Sequence, residues 1–125
     1  HYGGATYMTK KELFERYPEN KQVRIETKHL WKPHEGGESL VDMIAGRVSS
    51  FVNKVKREID SGLSVVAITH HTTIMALRTV LERRAPEEVI ADTRERKVPN
   101  GGILVYRKLD TGSLSLVETI SPPVD

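Results

Sequence analysis

Two adjacent histidines followed by two threonines, His70-His71-Thr72-Thr73, are the residues in this sequence best equipped for chemistry. They stand where a short apolar run, residues 63–69, gives way to a helical pattern. In open α/β sheets, ligands bind beyond the carboxyl ends of the strands. The N–H groups of a first helical turn point the same way, and the helix dipole favours an anion there. A histidine at that place can donate to a phosphate oxygen, and the hydroxyls of Thr72 and Thr73 can add donors. The same residues also suit a plain polar helix entry with Thr72 as a cap. Spacing leaves both uses open.

Adjacent histidines also raise metal binding. The other candidates, His29 and His34, are far upstream, and no His-Glu-x-x-His or similar pattern surrounds the pair. No metal site is assigned. Gly36-Gly37-Glu38-Ser39 reads as a loop plus an N-cap, with Glu38 favourable near a helix start. Arg47 reads as a solvated or ion-paired residue of the helix that follows. Tyr2 and Lys10 carry no signal of their own.

These residues need elements to position them. Thr9 and Glu12 form a capping-box pattern, so a helix is expected from Lys10 to about Tyr17, where Pro18 stops it. Residues 19–37 have weak periodicity and are expected to be mostly loop, with room for a helical turn. Ser39 caps the next helix, with Asp42 three residues on. Leu40, Ile44, Val48, Phe51, Val52, Val55 and Ile59 recur at three and four residues and predict one long amphipathic helix, closed by Gly62. The β-branched run at 63–69 predicts a strand buried on both faces. A helix over 71–84 and a shorter one from Pro86 to about Asp92 follow. Residues 103–107 and 114–118 predict a hairpin around Asp110-Thr111-Gly112. This alternation predicts a layered α/β domain.

The 125 residues are enough for one domain, taken here as 1–125, and too few for two. Hydrophobic residues are 38% and charged residues 29%, as in ordinary globular chains. A net charge of +2 is too mild to argue for nucleic acid or a membrane surface, yet it does not repel an anionic substrate. The absence of cysteine excludes disulfides and thiolate metal sites. No apolar run approaches the ~20 residues a membrane span requires. A cytoplasmic setting is the default expectation.

Taken together, the motifs resemble the histidine phosphatase superfamily, whose members include phosphoglycerate mutases and fructose-2,6-bisphosphatase domains. The resemblance is carried by the opening His1-Tyr-Gly-Gly-Ala-Thr-Tyr-Met-Thr-Lys10, by Gly37-Glu38-Ser39 with Asp42 and Arg47, and by residues 65–77. Glu87-Glu88 and Pro99-Asn100-Gly101 continue it. It covers most of the chain and is weakest over 19–35.

The resemblance implies a three-layer α/β/α phosphoglycerate-mutase-like domain. It also implies phosphoryl transfer through a phosphohistidine, without metal or other cofactor. His70 matches the family's second catalytic histidine, which stabilises the transferring phosphoryl group. Tyr2 and Lys10 match substrate-contacting positions, and His71 and Thr72 stand beside the phosphate. The implied partner is a phosphorylated small molecule, and the leading activity is phosphomonoester hydrolysis. Phosphoglycerate mutase chemistry, or a non-catalytic module that binds a phosphorylated ligand or another chain, is the alternative. The family's Arg-His-Gly nucleophile motif does not occur here, and the chain opens without Met. It is therefore expected to be the C-terminal part of a family domain, lacking the nucleophile and the first strand. An exposed central strand would make such a piece self-associate as a homo-oligomer.

Overall fold

The computed structural model describes residues 3–32 and 36–123. Thr9 opens α1 (Lys10–Arg16) with a complete capping box. Its hydroxyl accepts from the Glu12 N–H at 3.2 Å, while the Glu12 carboxylate accepts from the Thr9 N–H at 2.8 Å. Beyond Pro18 the expected loop is instead a helix, α2 (Glu19–Glu26). Its residues are mostly good helix formers, and Gln22 donates to Glu26 one turn on at 2.5 Å. Its buried residue is the polar Asn20, so no apolar period announces it.

Ser39 starts α3 (Leu40–Met43) with a second capping box, closed by Asp42. The helix passes through a π-helical turn (Ile44–Val48) into α4 (Ser49–Asp60). The long helix is thus present, with one widened turn that the Ser49 hydroxyl supports by donating to the Ile44 carbonyl at 2.9 Å. Leu40, Met43, Val48 and Val52 pack on Met75 and Ala76 of α5 (His71–Leu81) and on Val89 and Ile90 of α6 (Pro86–Glu95). A smaller cluster joins Ala5, Leu13 and Trp31.

Residues 63–69 depart from expectation. They pair with no strand among the described residues, and Leu63, Val66 and Ile68 are 57%, 88% and 97% exposed. The sheet is a two-stranded antiparallel hairpin of β1 (Ile103–Lys108) and β2 (Leu114–Ile120), with a bulge beside Val105 and Tyr106. A strand is buried by its neighbours, not by its own composition, and β1 and β2 bond to each other rather than to this run. Val65 to Thr69 of this run line an open groove of about 650 Å³ together with Met43, Val48, Phe51 and Leu77. The result is a mixed α/β chain with a small sheet. Three layers around a central strand are not formed by the described residues.

Behind α5 lies an ionic cluster. The Arg78 side chain, 9% exposed, donates from Nε to Glu82 at 2.7 Å and from Nη2 to Asp92 at 2.9 Å. Arg84 donates to the same two carboxylates at 3.3 and 3.0 Å, and the Tyr106 hydroxyl donates to Glu82 at 2.7 Å. The cluster ties α5 to α6 and β1. Burial alone would raise the Glu82 carboxyl, but hydrogen bonds from Arg78 and Tyr106 outweigh it and hold it below its usual value. The bond from Arg84, aided by Arg78, does the same for Asp92. We expect Arg78→Met to cost about 3 kcal/mol in urea unfolding, because it removes the buried guanidinium that half-buried Glu82 and Asp92 share and leaves them Arg84 as their remaining cation. Both carboxyls titrate below their ordinary values near 4. Their stabilisation is therefore full above that range and is lost as pH falls through the lower folded values. A urea midpoint unchanged between about pH 6 and pH 3 would contradict this.

Candidate functional site

His70 occupies the N-cap of α5 with extended backbone, φ −111° and ψ 162°, and its carbonyl accepts the first helical bond from Ile74 at 2.9 Å. Its side chain makes no capping bond and is exposed. The imidazole is thus uncommitted at a helix start whose leading N–H groups have no intrahelical acceptor. No acidic residue stands in that first turn to compete for them. Thr69, His70 and Thr73 line the groove, and so does Arg47. Arg47 itself is paired with Glu38.

His71 and Thr72 are half-buried beside it. Burial lowers the His71 pKa below its ordinary value, and the charges of Lys28 and Lys97 lower it further. The shift favours the uncharged imidazole, which can donate from one nitrogen and accept at the other. Lys10 is exposed at the start of α1, and its charge acts on Lys28. The structure therefore brings Lys10 and His71 into the field of one shared neighbour. Tyr2 lies outside the described residues.

Sequence reasoning missed the cations around Lys28. Burial lowers the Lys28 pKa first, then Arg24, Arg94, Lys10 and Lys97 lower it further. The Arg24 guanidinium lies 5.1 Å from the centre of the Trp31 ring, and Arg94 donates to the Ile25 carbonyl at 3.2 Å. These residues come from α1, from α2 and the turn after it, and from α6 and the segment that follows it. None belongs to a local motif, so no one-dimensional signal groups them. His29 is engaged with Glu87 at 3.0 Å. Among the described residues, no three His, Asp or Glu side chains are placed to hold a metal ion together. No helix among them is long and apolar enough to cross a membrane.

A chain with this helix-entry histidine and this motif order belongs to the histidine phosphatase superfamily (branch 1), whose sequence pattern matches residues 1–112. Similar proteins include 2,3-bisphosphoglycerate-dependent phosphoglycerate mutases. That of Nitrobacter hamburgensis is 29% identical over 106 residues, which cover 85% of this chain and 49% of the relative. Phosphoglycerate mutase 2 of Gloeobacter violaceus is 33% identical over 89 residues, 71% of this chain and 40% of the relative. The Cytophaga hutchinsonii protein is 25% identical over 127 residues, 99% of this chain and 57% of the relative. The chain spans about half the length of the curated relatives it matches. No solved structure matches it. The family match agrees with the resemblance read from the chain's motifs.

The field at His71 can be tested directly. Removing a cationic neighbour favours the imidazolium, so Lys28→Ala should raise the His71 pKa in an NMR titration. Burial persists in that variant, so the value should stay below the ordinary ~6.5. An unmoved pKa would place Lys28 too far away to matter.

Proposed function

We propose that this chain supplies the phosphate-stabilising side of a phosphohistidine site, in a protein that hydrolyses phosphomonoesters. The observation that carries this reading is the uncommitted His70 side chain at the acid-free N-terminus of α5. A phosphoryl group in transfer spreads negative charge over its equatorial oxygens, and fixed donors at that point lower the barrier. The leading N–H groups of α5 and His70 are such donors. In the family reaction a histidine attacks phosphorus, forming an N–P bond as the ester O–P bond breaks. A carboxylic acid gives its proton to the leaving oxygen. Water then takes the phosphoryl group and releases inorganic phosphate. The attacking histidine's Arg-His-Gly motif is not among these 125 residues, so the chain by itself is expected to bind phosphate without turning it over.

In this reading the complete domain is a three-layer α/β/α sandwich with residues 63–69 as an inner strand. The apolar walls of the groove support that arrangement. The ligand is a phosphorylated small molecule, and the protein works in the cytoplasm without nucleic acid or membrane. No metal or other cofactor enters the reading. A second reading is favoured by the names of the similar proteins: the phosphoryl group passes to a second substrate's hydroxyl, as in a mutase.

In the complete gene product, His70→Ala should lower turnover of a phosphomonoester by about 10²–10³-fold, as loss of a transition-state donor does. The helical circular-dichroism signal should persist. An unchanged rate removes His70 from the site. Measuring inorganic phosphate release against phosphoryl transfer to an added phosphoglycerate separates the two readings. The exposed apolar run also leads us to expect self-association of this chain. In sedimentation, Val66→Lys with Ile68→Lys should reduce it without loss of helix.

A further inference from the structure

We infer that Arg47 is a second donor to the phosphate bound at His70, aimed into the groove by the π-helical turn and held in reserve by Glu38. The inference rests on the reading of His70 as a phosphate partner and adds a residue which that reading does not use.

The π-helical turn decides where Arg47 points. A regular helix turns about 100° per residue, so a residue two turns after Leu40 would face the same way as Leu40. Arg47 stands at that place in the sequence, and Leu40 is buried. A regular helix would therefore turn the guanidinium toward the core. The widened turn, Ile44–Val48, fits one extra residue in before the helix resumes. Val48 then takes the inward position, and Val52 follows it, both buried. Arg47 is exposed instead and lines the groove with Phe51, one turn further on. The Ser49 hydroxyl braces this arrangement through its bond to the Ile44 carbonyl at 2.9 Å. The same turn packs against α5, the helix that carries His70 at its start.

The lining of the groove selects a charge. Its hydrogen-bonding side chains are Arg47, Thr69, His70 and Thr73, and no carboxylate is among the lining residues. All four can donate, and the guanidinium keeps its charge at any physiological pH. Such a lining fits an anion. Glu38, which pairs with Arg47, stands outside it. That pair is shallow, with the Arg47 side chain 55% exposed. Exposed pairs contribute little to stability, so an arriving anion can displace this one at small cost. The pair engages Nη2, and among the described residues Nη1 and Nε of Arg47 have no acceptor. A phosphate oxygen can take those nitrogens first and then draw the fork from Glu38, gaining the two-pronged contact that a planar guanidinium offers. Phosphate would then be gripped from two packed elements, the start of α5 and the π-helical turn. Another strand seated on Val65 to Ile68, as the proposed function has it, would exclude water and strengthen the contact.

The test measures binding of inorganic phosphate to the 125-residue chain by calorimetry at fixed ionic strength. Arg47→Ala should weaken it about tenfold, as loss of one charge-assisted bond does. Arg47→Lys keeps the charge without the fork and should fall between. Glu38→Gln releases the guanidinium and should tighten binding about twofold to fivefold, which is what an exposed pair is worth. The opposite signs separate this role from a structural one, because an ion pair that only supported the fold would show a loss from either side. Adding Glu38→Gln to Arg47→Ala should change nothing more. The helical circular-dichroism signal should persist throughout. If Arg47→Ala does not fold, Glu38→Gln decides alone. Unchanged affinity in Arg47→Ala, or unchanged or weaker binding in Glu38→Gln, overturns the inference. His70→Ala, measured alongside, separates the two readings. Loss with Arg47→Ala but not with His70→Ala keeps Arg47 as a phosphate donor and sinks the role given to His70. Loss with His70→Ala alone sinks Arg47, and no binding to the unaltered chain overturns both.

Discussion

A guanidinium does not give up its charge, so one that is largely buried must be matched where it sits. Arg78, with a side chain 9% exposed, is matched by Glu82 on one side and Asp92 on the other. That requirement fixes more than a local pair. Asp92 lies on α6 and Glu82 also receives the Tyr106 hydroxyl from β1. The helix α5 is therefore held at its C-terminal half by directional bonds. Toward its middle, Met75 and Ala76, 2% and 0% exposed, lock it against the other helices. Its N-terminus is what remains free, and His70 sits there. A donor presented by a helix fixed in this way keeps its geometry without help from the loop that precedes it.

Much of this was readable from residue types. Thr9 with Glu12 and Ser39 with Asp42 marked two helix starts, and both boxes close as hydrogen-bond geometry requires. The apolar period from Leu40 to Ile59 found the long helix, because burial of one face writes itself into spacing. It could not find the widened turn at 44–48, which rests on backbone bonding and one serine hydroxyl rather than on apolar spacing. Nor could it find α2, a helix whose buried residue is Asn20 and whose stability comes from propensity and short-range polar bonds. At 63–69 the composition predicted a buried strand, and the described residues form none there. Whether such a run is buried depends on which strands bond to its edges, and that property belongs to other segments.

The site divides along the same line. His70, His71 and Thr72 were legible because a helix entry is a local event: the residues that make it are adjacent in sequence. The cations around His71 were not. Lys10, Arg24, Lys28, Arg94 and Lys97 stand on separate segments, and each alone resembles any solvated surface charge. Only the packing of the N-terminal helices beside the C-terminal end of α6 brings them to one place. Arg24 is the informative member, since its stacking on Trp31 restricts a side chain that would otherwise swing into solvent.

Local and non-local construction also explains how the helix entry at His70 forms while the apolar run stays unpaired. Donors at a helix N-terminus are created by the helix itself, and α5 needs only its core face and the Arg78 cluster to form. In the proposed reading the nucleophile arrives from a different strand, so it depends on sheet pairing that residues 63–69 do not make among the described residues. The positive field is intermediate. It requires tertiary packing but no sheet, and it is present. In the proposed reading, phosphate binding would therefore belong to the helical part of the chain, and covalent chemistry would be added at the apolar groove. His71 follows the exposed His70 in the chain, and burial, with the charges of Lys28 and Lys97, lowers its pKa.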